Sequence, residues 1–349
     1  MSLFGHPVIV LNSMEAVKDC SLTSSNAFNH RPVFLSSITM SIAPGIAFRG
    51  VDDYLENRRF VLTNLKRRGM GRAGLEPQIL EEAELLISHL RSNPTLDPEV
   101  ALKNFTSNTV MTMCFGKRWE YEDPRYKAFA HDLSRILRNT GLNMLVDFNP
   151  VLGYLPAFKK ANKETTESVK HIRMQFEEII KERVNGDDTE EHDDIISEYI
   201  GIHKVLDEDH MKNIVDICHD LFFAGSDTTA ATTGFALIHL VTQPAWQAEV
   251  AEELERVLEG RSPSVADLQS LPKMEATIQE TLRVNPNVPF IFHATSQATR
   301  LREYVIPADC MVMINACKIN YNPVHFPSSA AWQPRQWLDS EVGPTWEQL

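Results

Sequence analysis

Cysteines are few in this sequence, and they form no recognisable disulfide or metal-binding pattern. Five cysteines are scattered over 349 residues without a Cys-x-x-Cys pair. Their odd number and wide spacing argue against a disulfide scaffold and against a structural zinc site. The first residues also lack the pattern of a secretory signal peptide. We therefore expect reduced thiols in a compartment that faces the cytosol.

The sequence also lacks an excess of positive charge and a long uncharged apolar run. The chain has 34 Lys and Arg against 47 Asp and Glu, for a net charge of −13. This acidic balance argues against nucleic-acid binding through a broad basic surface. No uncharged apolar run reaches the ~20 residues that a membrane-spanning helix needs. Apolar residues still make up 43% of the chain, enough for a sizeable core.

Helical periodicity dominates the chain from Asp53 onward and predicts a mainly α fold with a small β portion. Short strands are indicated in HPVIVLNS, which starts at His6, and in REYVIP and MVMINA near the end. Residues 21–50 and 142–157 are expected to be loops. No repeat or long linker interrupts the chain, so a single domain over residues 1–349 is predicted. The helices are predicted at residues 80–91, 102–115, 161–183, 212–242, 246–258 and 272–284.

One apolar helical stretch, FFAGSDTTAATTG at residues 222–234, contains an acid and several hydroxyls. Gly225 costs about 1 kcal/mol relative to Ala within a helix, a cost that makes sense where a flat ligand approaches the backbone. Thr228 and Thr229 can bond back to earlier carbonyls and open a groove in the helix. Asp227 would then relay protons into an apolar pocket. The alternative is a tightly packed helix with Asp227 at a solvated edge, and the pattern leaves both open.

Two further sets of polar residues stand at helical spacing. Glu280 and Arg283 share a helix face three residues apart. The proline-broken segment VNPNVPFIFHAT follows them, so a loop can cover the pair and the Arg fork can hold carbonyls as well as the carboxylate. Tyr54 and Arg58 also share a face and, with the distant His293, would bind an anion such as a carboxylate. Solvated surface pairs and a structural histidine are the alternatives.

Taken in order, these motifs resemble the cytochrome P450 family, in particular the animal microsomal branch often called family 2. AGSDTT resembles the central-helix motif of that family, ETLR its Glu-x-x-Arg motif, and YLENRRF its Trp-x-x-x-Arg helix with Tyr54 in place of Trp. NRRFVLTNLKRRGMG, CFGKRWEYED, YLPAFKKANK and FHATSQATRLREYVIPAD resemble family 2 segments. The resemblance extends from Gly5 to about Asp339 and implies a P450-like helical fold.

The resemblance implies roles for the motif residues. Ala224 and Gly225 would let haem lie against the central helix. Thr228 would support the bound dioxygen, and Asp227 would feed the proton relay for O–O cleavage. The haem propionates would be bound by Tyr54, Arg58 and His293, and the core beneath the haem would be held by Glu280 and Arg283.

The sequence also departs from the family pattern. It contains no Phe-x-x-Gly-x-Arg-x-Cys-x-Gly loop for the axial thiolate, so the axial cysteine is expected beyond Leu349 and no metal ligand is assigned within the chain. The N-terminal membrane anchor of the family is not found before HPVIV either, and a fragment is expected at both ends. Gln336 stands where the family has the Arg that completes the network of Glu280 and Arg283. The neighbouring Arg335 is expected to substitute for it in part.

The implied function of the complete form is a haem-dependent monooxygenase, an oxidoreductase that inserts one oxygen atom of dioxygen into a hydrophobic small molecule such as a fatty acid, steroid or xenobiotic. The implied cofactor is haem, iron protoporphyrin IX, with electrons from NADPH through P450 reductase and with cytochrome b5 as a possible second partner. The expected location is the cytosolic face of the endoplasmic reticulum membrane, with FNPVLGYLPAF at the membrane surface. One alternative is a catalytically dead remnant, at most a binding scaffold. Another, a magnesium-dependent prenyl-diphosphate enzyme at Asp193 and Asp194, lacks a second acidic motif. The acidic run NGDDTEEHDD at residues 185–194, which contains these two residues, is expected to be a solvated loop.

Overall fold

A computed structural model describes residues 2–3, 5–23, 27–31, 46, 51–70, 73–95, 97–186 and 193–338. These residues are mostly helical with a small β portion, which confirms the predicted fold class. Most of the predicted loop at 21–50 lies outside the described residues. The helices are α1 Met14–Thr23, α2 Val51–Arg67, α3 Glu76–Ser92, α4 Pro98–Phe115, α5 Pro124–Phe148, α6 Pro156–Val184, α7 Ile195–His203, α8 Glu208–Thr242, α9 Pro244–Leu258, α10 Pro272–Val284 and α11 Ala316–Asn320. The strands are β1 Ser2–Leu3, β2 His6–Leu11, β3 Phe290–Ala294, β4 Thr299–Leu301, β5 Tyr304–Ile306 and β6 Met311–Asn315.

Prolines set the start of several helices. A proline stands in the first turn of α3, α5, α6, α9 and α10, where its missing N–H costs no intrahelical bond. Asp123 caps α5 by accepting a hydrogen bond from the backbone N–H of Arg125 at 2.8 Å. After α4, Gly116 takes the left-handed conformation with φ +61°, which lets the chain turn away from the helix end.

The chain divides into two compact units. The first comprises residues 1–7, 30–68 and 103–227, and the second comprises residues 8–29, 69–102 and 228–349. Helices α4 and α8 contribute residues to both units. The single domain expected over residues 1–349 stays a prediction.

The first unit is built around a cluster of aromatic side chains contributed by α4, α5, α6 and α8. Phe129 lies 5.1 Å from Phe176 and 4.7 Å from Phe222 between ring centroids, and Phe115 stacks on Phe176 at 4.7 Å. All four rings are buried. Burial of such large apolar side chains supplies the main stabilising free energy of this unit.

The second unit combines a small sheet with α9, α10 and the last described segment. In the sheet, β6 pairs with β2 in parallel and with β3 antiparallel, and β4 and β5 form a separate antiparallel pair. Ile306, Cys310 and Val312 from this region are buried against residues of β2 and α1. Trp246 of α9 packs in another buried cluster with Ala276 of α10.

Two local expectations were wrong. Helix α5 was not expected, and residues 142–148, expected to be loop, form its last two turns. Its apolar side chains are interrupted by Ser, Arg, Asn and Thr, so the apolar face of this helix is difficult to recognise in the sequence. Residues 290–294, read as part of a proline-broken loop, form β3 because β6 offers a full edge for pairing.

The acidic run after α6 was expected to be a solvated loop. Residues 187–192 of this run lie outside the described residues, but Asp194 is fully buried. Its carboxylate caps α7 at the N–H of Ser197, 2.8 Å away, and accepts from Arg183 at 2.5 Å. Asp193 pairs with Arg68 at 2.8 Å. These two acids therefore have structural partners, which counts against the prenyl-diphosphate alternative.

None of the helices described here is both long enough and apolar enough to cross a bilayer.

His219 on α8 is an unusual buried group in the first unit. It is 1% exposed, and neither ring nitrogen has a hydrogen-bond partner among the described residues. Burial, helped by the nearby Arg173 cation, lowers the pKa of His219 to about 4. The imidazole is therefore neutral in the folded protein at neutral pH.

We predict that His219→Leu flattens the dependence of stability on pH. Because the unfolded imidazole takes up a proton below about pH 6.5 and the folded one only near pH 4, the wild-type chain loses stability as pH falls through this window. The loss due to His219 is on the order of 3 kcal/mol between pH 7 and pH 4. Urea unfolding at several pH values measures it. His131→Leu, at an exposed position of α5, is the control and should leave the slope unchanged; an equally steep slope in His219→Leu would contradict the prediction.

Candidate functional site

The AGSDTT stretch lies in the middle of α8, and Gly225 and Ser226 in its first half are tightly packed in the first unit. A Cβ on Gly225 would lie 2.6 Å from Cγ2 of Val110 on α4, closer than side chains tolerate. The hydroxyl of Thr106 on α4 donates to the backbone carbonyl of Ser226 at 2.6 Å. This close approach of two helices accounts for the glycine by itself, while a contact between haem and Gly225 stays a prediction. Ala224, the other residue expected to face the haem, is exposed.

Asp227, the expected proton-relay acid, forms an ion pair in the same unit. Its Oδ1 lies 3.0 Å from Nζ of Lys103 on α4. The two side chains are 23% and 17% exposed, so the pair is partly shielded from water. A shielded pair is screened less by solvent and salt than a surface pair. The carboxylate is therefore oriented by α4.

We predict that Gly225→Ala destabilises the protein by about 1–3 kcal/mol, because the new methyl group overlaps Val110. Val110→Ala should relieve much of the added cost, so that the double variant is less destabilised than the sum of the two single variants. Chemical unfolding of the four proteins tests this.

The control for this prediction is Gly141→Ala in α5, where nothing lies within 4 Å of the added Cβ. That change should be neutral or stabilise by up to about 1 kcal/mol, since Ala is the better helix former. Strict additivity of Gly225→Ala and Val110→Ala would count against the overlap.

The second half of the stretch, from Thr228 on, belongs to the second unit. The carbonyl of Thr228 accepts from the hydroxyl of Thr232 at 3.0 Å and from Nδ2 of Asn287 at 2.8 Å. Asn287 Nδ2 also donates to Oγ1 of Thr232 at 2.5 Å. Back-bonding of the kind that the sequence suggested for this stretch is seen from the hydroxyl of Thr232 to the carbonyl of Thr228 and from Thr233 to Thr229, and Asn287 adds a second donor at the Thr228 carbonyl.

A groove of about 650 Å³ runs along this part of α8 and along α10. Its walls are mostly apolar, with threonine side chains on both α8 and α10. Such a lining suits an apolar ligand that a few polar groups orient. The residues that line it on α8 are Thr228, Thr229, Thr232, Thr233, Ala236, Leu237 and Leu240.

Glu280 and Arg283 form a fully buried pair on α10 in the second unit. Nε and Nη2 of Arg283 donate to the two carboxylate oxygens of Glu280 at 2.8 and 2.7 Å, a bidentate arrangement. The remaining donors of Arg283 bind the backbone carbonyls of Asn320, Ser329 and Ala331 at 2.8 to 3.0 Å. The pair therefore ties the segment after α11 to α10.

The carboxylate of Glu280 accepts three further hydrogen bonds. They come from the backbone N–H of Gln333 at 2.6 Å, from Nε2 of Gln336 at 2.8 Å and from the indole N–H of Trp337 at 2.9 Å. Burial acts to raise the pKa of Glu280, but the bonds from Arg283, Gln333 and Trp337 outweigh burial and hold the pKa below its ordinary value. Glu280 is thus an ionised carboxylate with several donors.

Gln336 occupies the place in this network that was expected to be filled in part by Arg335. Arg335 instead pairs with Glu249 and lies over the ring of Trp246, with its guanidinium carbon 5.2 Å from the centroid. Its side chain is 65% exposed. The structure therefore places Arg335 outside the Glu280 network, because its side chain leaves the 3-10 turn Pro334–Trp337 in a different direction from that of Gln336.

We predict that Gln336→Ala lowers the free energy of unfolding by about 1.5–3 kcal/mol, the usual cost of removing a hydrogen bond to a buried charge. Arg335→Ala is the matched control one residue away, and it should leave the unfolding midpoint nearly unchanged because the Arg335 side chain is 65% exposed and Glu249 keeps Lys273 as a partner at 3.1 Å. Thermal or urea unfolding compares the two. A larger effect from Arg335→Ala would mean that Arg335 does support the network.

The residues expected to bind the haem propionates are placed as follows. Arg58 is exposed on α2 in the first unit. Tyr54 is in the same helix, but its side chain lies outside the described residues. His293 is half-buried in β3 of the second unit, where it stands opposite Val312 of β6. Their joint role stays a prediction.

The cysteines of the chain are poorly suited to supply the thiolate ligand that haem iron needs. None of the five cysteines, all of which are among the described residues, forms a disulfide, and all but Cys317 are buried. Burial raises the pKa of Cys20 to about 11 and also raises the pKa of Cys218 and Cys310, which opposes the thiolate form that an iron ligand needs. Among the described residues, no group of three or more His, Cys, Asp or Glu side chains is arranged to hold a metal ion. These buried cysteines therefore do not favour the thiolate that the axial position needs, and the haem contacts expected of Ala224, Gly225 and Thr228 stay predictions.

Sequence reasoning missed three of the residues just described. Lys103 and Asn287 stand in segments without a motif, and each acts on α8 from another part of the chain. Trp337, next to Gln336, was not assigned a role either, yet its indole N–H binds Glu280. Only for Trp337 did the sequence offer a signal, since the N–H of a Trp that is even partly buried generally needs an acceptor.

Comparison with known proteins supports the resemblance seen in the sequence. A family model described as Cytochrome P450 matches residues 1–346. The chain is 30% identical to cytochrome P450 2U1 of Bos taurus over 358 residues, which covers 97% of this chain and 65% of the relative. It is 28% identical to cytochrome P450 2C25 of Mesocricetus auratus over 345 residues, which covers 95% of this chain and 70% of the relative. The chain thus spans about two thirds of the length of these relatives, and the predicted similarity to family 2 is confirmed.

Proposed function

Because the chain belongs to the cytochrome P450 family, we propose that the protein carrying it is a haem-dependent monooxygenase. The match over residues 1–346 is the observation that carries this proposal. In the proposed reaction, one atom of dioxygen is inserted into a C–H bond of the substrate to form an alcohol. The other atom leaves as water, with two electrons from NADPH and two protons.

Haem would supply the oxidising chemistry when it is bound, and the chain supplies binding, orientation and protons. Asp227 is assigned the role of bringing protons towards the hydroxyl of Thr228, the next residue on α8. The ion pair of Asp227 with Lys103 supports this role, since it keeps a carboxylate at a defined position. The groove at Thr228 and Thr232 supports a role of these hydroxyls in a ligand pocket.

The proposed substrate is a hydrophobic small molecule, such as a fatty acid, a steroid or a xenobiotic. The mostly apolar groove supports this class but does not separate its members. P450 reductase, with cytochrome b5 as a second electron donor, is proposed as the partner that passes on the electrons of NADPH.

The proposed location is the cytosolic face of the endoplasmic reticulum membrane. Exposed apolar side chains between α5 and α6 support contact with a membrane surface. Val151 is 69% exposed, Tyr154 86% and Leu155 50%. Aromatic and aliphatic side chains of this kind partition into the interfacial region of a bilayer.

A catalytically dead remnant is the second candidate function. Two observations favour it. The buried thiols are poor sources of a thiolate, and Gln336 replaces the arginine expected beside Glu280. Such a protein would act at most as a binding scaffold.

The deciding experiment is an absorption spectrum of the haem-loaded full-length protein after reduction under carbon monoxide, followed by turnover with NADPH, reductase and ¹⁸O₂ on dodecanoic acid as a probe. We expect a strongly red-shifted band from thiolate ligation and one ¹⁸O atom in the product. The 349-residue chain is the matched comparison, and we expect it to lack the thiolate band because burial disfavours its thiolates.

A full-length protein without the thiolate band and without turnover would establish the remnant instead. If the 349-residue chain itself shows the band, one of its five cysteines reaches the iron, and single Cys→Ser variants would identify which one.

A further inference from the structure

We propose that Lys103 is a positioning residue for Asp227, and that it sets the direction from which this carboxylate serves proton delivery. The role rests on the proposed function, but the contact that underlies it does not. Lys103 is on α4 and carries no motif. Its ammonium lies 3.0 Å from the Asp227 carboxylate.

The pair is part of an ordered contact between two helices of the first unit. Three side chains of α4 meet three consecutive residues of α8: Val110 meets Gly225, Thr106 meets Ser226, and Lys103 meets Asp227. Along these three contacts the residue numbers decrease on α4 while they increase on α8, so the two helical segments run in opposite directions. This row of three contacts spans about two turns of α4, because its three residues on α4 are three and four positions apart.

The first two contacts of the row are rigid, and they fix the third. Val110 and Gly225 leave no room for a Cβ, and the Thr106 hydrogen bond of 2.6 Å joins the backbone of α8 directly. With both helices held at this spacing, the Lys103 ammonium has a defined position beside Asp227. An opposite charge there selects one orientation of the carboxylate.

A direct transfer of protons from Lys103 to Asp227 is less favourable than positioning. A lysine ammonium is a far weaker acid than a carboxylic acid, so passing its proton to a carboxylate is strongly uphill. The expected role of Lys103 is therefore electrostatic and geometric. Arginine, which stays protonated but can make the same ion pair, should be able to replace it.

The first test measures the contact without any cofactor. Thermal unfolding of the 349-residue chain is compared for the wild type, Lys103→Met, Asp227→Asn and the double variant. We expect each single variant to lower Tm by roughly 2–4 °C, and the double variant to lower it by no more than either single one. Additive shifts would overturn the pairing of the two residues.

The second test measures proton delivery in the haem-loaded full-length protein with reductase. We expect Lys103→Met to slow NADPH-driven turnover of dodecanoic acid about tenfold or more, to raise the solvent deuterium isotope effect, and to leave KM nearly unchanged. Lys103→Arg should restore both the rate and the isotope effect. Lys163→Met is the control, because Lys163 on α6 is 76% exposed and pairs only loosely with Glu167 at 3.7 Å.

An unchanged isotope effect in Lys103→Met would overturn the positioning role. Failure of Lys103→Arg to restore the rate, with its Tm intact, would overturn it as well and would favour direct proton transfer. If the wild-type protein shows no turnover at all, the proposed function fails, and the thermal cycle still decides whether Lys103 orients Asp227.

Discussion

A buried carboxylate cannot stay charged without hydrogen-bond donors, and in the second unit the carboxylate of Glu280 has enough of them. It is fully buried on α10, and its donors come from Arg283 and from the segment that contains Gln333, Gln336 and Trp337. Removing one partner of such a group costs several kcal/mol, because an uncompensated charge then remains inside. The last described segment of the chain is therefore held on α10 by electrostatics as much as by apolar packing. Since Arg283 also binds three backbone carbonyls, the whole arrangement depends on one ion pair.

In the first unit, too, a few residues of α8 make several of the contacts that hold the structure together. Gly225, Ser226 and Asp227 each have a partner on α4, so residues that a motif assigns to cofactor chemistry also carry the packing of two helices. A change at any of them is expected to affect stability together with the chemistry proposed for the motif. A variant at the motif is therefore informative only when it is compared with a variant of its partner on α4. Lys103, which has no motif of its own, is one such partner.

The helices and the motifs were largely predictable, and the partners of the motif residues were not. The predicted helix at 272–284 coincides with α10, and the 3.6-residue period also gave α9 and most of α8. Helix α5 was missed because polar residues interrupt its apolar stripe. Asp194 was misjudged as solvated because its burial depends on Arg183 and on the start of α7. Arg335 was expected in the Glu280 network because sequence proximity does not reveal the direction of a side chain.

The sequence by itself determined the family and the mainly helical character, since these follow from local periodicity and from motifs within a few residues. Only the tertiary structure decided which partners these residues have. Thr106 and Ser226 are 120 positions apart, and Glu280 and Gln336 are 56 apart. Such contacts depend on how two helices approach each other, and that approach is set by the volumes of many side chains at once. A local sequence pattern does not specify how two helices approach each other.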